Sequence, residues 1–250
     1  MNAPQPLAGK VALVTGGAGG IGSAISGALA AAGARIVATC HQNRARAEAL
    51  IRSLPGTGHQ LAQVSVLDSA GLRNLALELG TRQGRLDILV NNAGITRVIP
   101  HGDLDDLDDQ TFDAIFNTNV RGAFACARAF RGLLESSGGV IINISSIAGT
   151  TAVGSNIAYC ASKAALDNMT RALARALAPS VRVLAVAPGW VEGDYAARAD
   201  PAYLQAQIAR TPLGRIARPD DVAQAVLAAC TLLHFTTGAI IPVDGGRPLA

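Results

Sequence analysis

Lys10-Val-Ala-Leu-Val-Thr-Gly16-Gly-Ala-Gly-Gly-Ile-Gly22 is the stretch on which the fold turns. Residues 10–15 form a short run of apolar, β-favouring residues, and five glycines follow at 16, 17, 19, 20 and 22 before the Ala-rich segment Ser23 to Ala32. The pattern predicts a strand, a glycine turn and a helix. In such a unit the backbone approaches a pyrophosphate closely, and unpaired amides and the positive helix end meet its charge. A glycine-rich turn by itself is a weak signal. The spacing here, Thr15-Gly16-x-x-x-Gly20-Ile21-Gly22, has one more residue between its first two key glycines than the common G-x-G-x-x-G form.

Working outward, the periodicity predicts strands at 10–15, 35–39, 60–65, 86–90, 139–145, 181–187 and 239–243. Helices are predicted at 20–32, 43–54, 69–80, 109–117, 119–136, 157–177, 200–209 and 219–232. Alternating strands and helices of this kind build an α/β fold, a doubly wound seven-stranded parallel sheet with helices on both faces. Runs such as Val140-Ile-Ile-Asn-Ile144 are apolar without alternation, as strands covered on both faces should be. No linker or repeat divides the chain, so residues 1–250 read as one domain. Ligands of such sheets bind beyond the carboxyl ends of the strands, where Gly16, Asn91 and Ser146 fall.

A second signal carries chemistry. Only two of the 21 basic residues are Lys, and one of them, Lys163, follows Tyr159 by four positions. Residues 157–177 are Ala- and Leu-rich with no internal Gly or Pro, so 159 and 163 lie one turn apart on one helix face. A phenol alone, with a pKa of roughly 10, is a poor acid-base catalyst at neutral pH; a neighbouring ammonium favours phenolate and brings it toward the working range. With three Tyr and two Lys in the chain, this spacing would arise by chance in about 2 to 3% of such sequences.

Together these residues resemble the short-chain dehydrogenase/reductase family. The resemblance runs from Gly9 to Gly246 and includes Thr15-Gly16-x-x-x-Gly20-Ile21-Gly22, Asn91-Asn92-Ala93-Gly94, Asn119-Val120-x-Gly122, Ser146, Tyr159-x-x-x-Lys163, Pro188-Gly189 and Val243-Asp244-Gly245-Gly246, in the family's order. It implies a Rossmann-type nicotinamide-dependent oxidoreductase interconverting a carbonyl and a secondary alcohol, closest in pattern to 3-oxoacyl-thioester reductases. On that resemblance Tyr159 is the general acid or base, Lys163 also bonds the nicotinamide ribose, and Ser146 holds the reacting oxygen. Ser145 competes for that role, but only Ser146 has the family's spacing to Tyr159. Asn119 resembles the anchor of a water path to Lys163; taken alone it would be an ordinary helix cap. The cofactor-binding set is Gly16, Gly19, Gly20, Ile21, Gly22, Cys40, His41, Arg44, Ser65, Val66, Asn92, Ala93, Gly94, Tyr159, Lys163, Pro188, Gly189 and Val191. The alternative is a catalytically silent nucleotide sensor or scaffold, which would usually have lost the Tyr or the Lys.

Departures from the family pattern bear on the cofactor. NAD-preferring members carry an Asp at the end of the second strand, whereas this chain has Cys40 within Ala38-Thr-Cys-His-Gln-Asn-Arg44. A 2′-phosphate would not be repelled there, and His41, Arg44 and the Thr39 hydroxyl are candidates to meet it. The expectation is NADP(H) ahead of NAD(H), although Gly19 stands where many NADP-preferring relatives have Arg. Ser65 and Gly193 replace a usual Asp and Thr. For the substrate, Ser146, Trp190 and Tyr195 are the candidates. Trp190, Tyr195 and Tyr203 fall in a segment of about residues 189–212 that the family uses as a mobile lid, and otherwise they read as packing for a surface helix. Thr96, Arg97 and His101 are candidates for the pocket mouth, His101 reading equally as an exposed loop residue.

Composition excludes other classes. The chain is 50% hydrophobic and 16% charged with mean hydropathy +0.31, enough for a large core. The net charge of +3 comes from scattered Arg without a basic run, which argues against nucleic acid. No stretch is long and apolar enough for a membrane span, and residues 1–9 lack signal-peptide features, so a cytoplasmic protein is expected. Cys40, Cys126, Cys160 and Cys230 have no metal-ligand spacing and read as buried thiols; no metal is expected. Asp103 to Asp109, five Asp in seven positions, reads as a solvated helix start with capping carboxylates. The greasy segment Leu232 to Ile241 and the helix at 157–177 predict two subunit interfaces and a homotetramer.

Overall fold

The computed structural model describes residues 5–194 and 196–249. Seven strands, β1 (Val11–Val14), β2 (Arg35–Cys40), β3 (Gln60–Gln63), β4 (Ile88–Asn91), β5 (Val140–Ile144), β6 (Arg182–Pro188) and β7 (Ile240–Val243), form one sheet in the order β3-β2-β1-β4-β5-β6-β7. Every adjacent pair is parallel. The order reverses direction between β1 and β4, which opens the crevice at their carboxyl ends. β1, β4 and β5 are buried at every position, as their unalternating sequences require.

Helices α1 (Gly20–Ala31), α2 (Arg44–Ser53), α3 (Ser69–Gln83), α4 (Asp109–Phe116), α5 (Ala123–Ser137), the short α6 (Ala148–Thr151), α7 (Ile157–Leu177), α8 (Pro201–Ala209) and α9 (Pro219–Thr231) complete the fold. One core layer joins alternate sheet residues such as Ala12, Val14, Ile142 and Val186 to Ile25 and Leu29 of α1 and Val222 and Val226 of α9. The other joins Val11, Leu13, Leu89 and Ile141 to Leu72 and Leu79 of α3, Phe130 and Leu134 of α5 and Ala174 of α7. At roughly 25 cal/mol per Å² of apolar surface, these two layers supply most of the drive to fold.

Beyond shifts of one or two residues at element ends, the structure differs from expectation in three places. Asn119 does not begin a helix: α4 passes through a π-helical turn, Asn117–Gly122, directly into α5. Asn119 is buried in that turn at 2% exposure, so it is not a terminal cap. The helix expected to stop at residue 80 continues to Gln83, where Gly84 closes it in the left-handed conformation. The four-residue α6 was not expected, being too short to show a period. The acidic run does cap a helix, Asp108 Oδ1 accepting from Thr111 N at 2.6 Å.

Candidate active site

The amino end of α1 is built for an anion. Asn or Asp side chains cap α2, α3, α4, α7 and α8, through Asn43, Asp68, Asp108, Asn156 and Asp200. α1 instead starts from Gly19, with no side-chain cap and no acidic residue in its first turn. Its first amides and dipole therefore stay available to a negative group. Side-chain atoms added at Gly19 or Gly20 would point into nearly open space, Gly19 meeting only Gly16 O at 3.4 Å. A Cβ at Gly22 would lie 2.4 Å from Gly16 O and 2.7 Å from Asn92 Nδ2, so this glycine is required for the turn to pack. Gly16 itself has φ +61°.

The loop after β4 is tied to the same turn. Thr15 Oγ1 accepts from Asn92 N and Ala93 N, both at 3.0 Å, and Asn92 Nδ2 donates to Thr15 O and Gly16 O at 3.0 and 3.1 Å. Gly16, Gly19, Gly20, Ile21, Gly22, Asn92, Ala93 and Gly94 are thus brought together on one rim. Pro188 and Gly189 end β6 on that rim, Ile147 N donating to Pro188 O and Gly189 N to Val243 O. Val191 follows in an isolated bridge to Ala217.

At the end of β2, Cys40 is buried against Ala18 and Ala47, and burial pushes its thiol up. His41 and Arg44 are exposed beside it. Arg44 is already engaged, its Nε 2.7 Å from Glu48 Oε1 and its Nη1 3.5 Å from Gln63 Oε1. Thr39 is withdrawn: it is 1% exposed and its side chain alternates to the other sheet face from Cys40, so its hydroxyl does not meet the end of β2 as expected. A second cation unnoticed in the sequence, Arg46, reaches Asp194 at 3.0 Å. Ser65 Oγ accepts from Leu67 N, and Val66 packs against Gly122 of the π turn.

α7 carries the candidate chemistry. Asn156 caps it, Oδ1 accepting from Tyr159 N at 2.7 Å while Nδ2 donates to Arg97 O at 2.6 Å, which orients the turn holding Tyr159. Lys163 is 6% exposed, and its Nζ donates to Ile144 O at 2.8 Å and lies 5.6 Å from the Tyr159 ring centre. Burial pulls its ammonium down to about 8, Asp167 acting in the opposite direction. Asn119 reads the loop after β4 with both ends, Oδ1 accepting from Ile95 N and Nδ2 donating to Ile95 O, and also donates to Ser162 Oγ. Its Oδ1 and Lys163 Nζ converge on Gly94, 3.2 and 3.8 Å from where a Cβ would stand. Ser146 is 8% exposed in the turn between β5 and α6, its Oγ accepting from Ala148 N at 3.2 Å. A Cβ on Gly154 would meet Ala148, Tyr159 and Cys160 at 2.7–3.3 Å, so Gly154 closes the loop between α6 and α7 onto the Tyr159 turn.

On the proposed substrate side, Trp190 and Tyr203 pack edge to face, 5.6 Å between centres. Tyr195 lies outside the described residues. His101 is an exposed loop residue whose Nε2 contacts Gly154 O at 3.2 Å. Among the described residues no cluster of His, Cys, Asp or Glu is arranged to hold a metal, and no helix is long and apolar enough to cross a membrane. Sequence reading missed Asn156 and Asp167. The first was legible as Asn-x-x-Tyr at a helix start; the second sits in no motif.

Comparison with known proteins places the chain in a family. The family described as Enoyl-(Acyl carrier protein) reductase matches residues 16–247. The chain is 40% identical to the ketoacyl reductase 2 assigned to the granaticin polyketide synthase of Streptomyces violaceoruber, over 96% of each chain. It is 38% identical to a D-threitol dehydrogenase of Mycolicibacterium smegmatis, over 96% of this chain and 93% of that one. The solved structure of a short-chain dehydrogenase/reductase of glucose/ribitol dehydrogenase type from Brucella melitensis superposes with TM-score 0.90 at 28% identity, covering 98% and 99% of the two chains. The chain therefore belongs to the short-chain dehydrogenase/reductase family, oxidoreductases of alcohol and carbonyl groups that generally bind NAD(P).

Proposed function

We propose that this enzyme interconverts a carbonyl and a secondary alcohol on a small molecule, with Tyr159 exchanging the proton at the substrate oxygen. The observation that carries the reading is the buried Lys163 ammonium one helical turn from Tyr159. A positive charge in that position stabilises phenolate and lowers the cost of proton transfer at neutral pH. Ser146 donates to the same substrate oxygen and stabilises charge developing there. Asn119 holds the loop after β4 against Lys163 and anchors a water path from Lys163 to solvent. The residues fit a dinucleotide: the uncapped α1 and the glycine turn would hold its pyrophosphate, and Lys163 would hold the nicotinamide ribose. When bound, the nicotinamide cofactor supplies or accepts the hydride.

NADP(H) is the preferred cofactor, because Cys40 places no carboxylate at the end of β2 and the Arg44 guanidinium lies near enough to act on its thiol. Trp190, Tyr195 and Tyr203 lie in the segment 189–212, which acts as a lid over an apolar or ring-bearing substrate. The ketoacyl and polyol names of the relatives bracket such substrates without selecting one. The enzyme works in the cytoplasm as a homotetramer, in keeping with four free, buried cysteines and large exposed apolar side chains at its β7 edge.

The test is a screen of ketones, 3-oxoacyl thioesters, steroids, sugars and their alcohols with both cofactors, following nicotinamide absorbance. Tyr159→Phe should then bind cofactor normally and turn over roughly 10² to 10⁴ times more slowly. Wild-type turnover in that variant removes Tyr159 from the role, and cofactor binding without turnover of any compound returns the silent-sensor alternative.

A further inference from the structure

Asp167 is the one buried carboxylate near the site that the reaction does not use. It stands four residues beyond Lys163 on α7 and is 3% exposed. Neither carboxylate oxygen has a hydrogen bond of ordinary geometry among the described residues. Burying an acid with only the Ser145 hydroxyl and two nearby cations to offset its charge is costly, and an apolar residue of similar size would fill the space more cheaply. Its surroundings point to the active site. A Cβ on Gly149 would lie 3.0 Å from Asp167 Oδ2 and 2.9 Å from Lys163 C, so the carboxylate backs the turn that follows Ser146. That turn is closed by Gly149 N donating to Ser146 O at 3.1 Å and Ala148 N donating to Ser146 Oγ. Ser145, at its start, directs Oγ toward Lys163 O at 3.4 Å.

We propose that Asp167 is a positioning residue for the reaction: its buried carboxylate keeps the neighbouring Lys163 charged and holds the Ser146 turn against α7. The inference rests on the reading that Lys163 assists proton transfer at Tyr159. Burial pushes the Asp167 carboxyl up, while the Ser145 hydroxyl, Arg171 and Lys163 pull it down. Its effect on Lys163 is the reciprocal one, raising an ammonium that burial has lowered to about 8. Among the described residues the other neighbours of that ammonium are uncharged: Ile144 O from β5, Gly94 after β4, and the Asn119–Ser162 pair between the π turn and α7. Tyr159, on α7 itself, is the remaining titratable group beside it. Without Asp167, Lys163 would lose its proton at a lower pH, inside the range in which a reductase works.

The composition makes this directly measurable, since Lys10 and Lys163 are the only lysines. In protein labelled with [ε-¹³C]lysine, Lys10→Arg identifies the Lys163 resonance, whose pH titration reads its charge without any turnover. Asp167→Asn, nearly isosteric, should lower the Lys163 midpoint by about half a pH unit or more. Asp167→Glu should restore part of that change. The alkaline limb of kcat/KM for carbonyl reduction should move down by the same interval, with cofactor affinity below pH 7 unchanged. Should Asp167→Asn not fold, Asp167→Ser serves for the same titration. An unmoved midpoint, or a moved midpoint that the activity limb does not follow, overturns the proposal. The titration stands apart from the Tyr159→Phe result, so failure of the catalytic reading and failure of this one are separately visible.

Discussion

At the scale of single residues, Tyr159, Lys163 and the glycines of the α1 turn were legible because their chemistry is rare or their spacing strict. Asn156 was legible only as a helix cap and Asp167 not at all, since what they do further lies in what burial places beside them: Arg97 O for one, Gly149 and Lys163 for the other. The candidate 2′-phosphate site shows both situations. Absence of a carboxylate at Cys40 could be read from the sequence, but not the engagement of Arg44 by Glu48 at 2.7 Å, nor the withdrawal of Thr39. An added phosphate must therefore compete with Glu48 for the guanidinium. Arg44→Ala should weaken NADPH more than NADH, by about tenfold in the ratio of kcat/KM. Glu48→Gln should move the ratio the other way, and Cys40→Asp should favour NADH through hydrogen bonds to the ribose hydroxyls. Steady-state kinetics with both cofactors decide this; a wild type favouring NADH, with Arg44→Ala indifferent, would mean that backbone amides read the ribose.

At the scale of elements, the period of apolar residues located all seven strands and every helix of eight residues or more among the described residues, with ends displaced by a few positions. It did not show that α4 and α5 are one helix with a π turn inside. Asn117-Thr-Asn-Val-Arg-Gly122 has no internal breaker, and a π turn adds a residue without changing composition. Its purpose is visible only in three dimensions: it places Asn119 against Ile95 and leaves Gly122 facing Val66, whose Cγ2 would lie 2.7 Å from a Cβ there. Gly122→Ala should thus displace Val66 and the loop after β3. The expected cost is about 1–3 kcal/mol of stability, with a several-fold rise in cofactor KM. Val66→Ala in the same chain should recover most of both losses. Urea unfolding and cofactor titration of the single and double variants form the cycle, and additivity between them would mean that the two residues do not press on each other.

Across the whole molecule, the two ends of the sheet do different work. The carboxyl ends carry the site, while the amino ends are fastened by Asp87, which accepts from Arg85 Nε and Nη2 at 2.8 and 2.6 Å, Lys10 Nζ at 3.0 Å and Val11 N at 2.9 Å. Burial pushes this carboxyl up, but these bonds outweigh it and hold it below its ordinary range. A depressed acid stabilises the fold above its unfolded pKa and ceases to do so as pH falls, so this contribution should be lost below about pH 4. Asp87→Asn should be less stable at pH 7, by about 1–3 kcal/mol, and should vary less in Tm between pH 6 and 3 than the wild type. The outer surface was legible only as greasy sequence. It proves to expose Leu232, Phe235 and Leu249 at 73%, 106% and 87% around the β7 edge, and Phe112 and Phe124 on α4 and α5 at 38% and 43%. Apolar side chains this exposed at two separate places favour two kinds of self-contact, which closed symmetry turns into a tetramer. Light scattering at micromolar concentration should therefore give about four times 25.4 kDa. Phe235→Asp should reduce this to a dimer with an unchanged far-ultraviolet circular dichroism spectrum, because it charges the β7 contact and leaves the helical one intact. A wild-type monomer would mean that these side chains are covered by something other than a second copy of the chain.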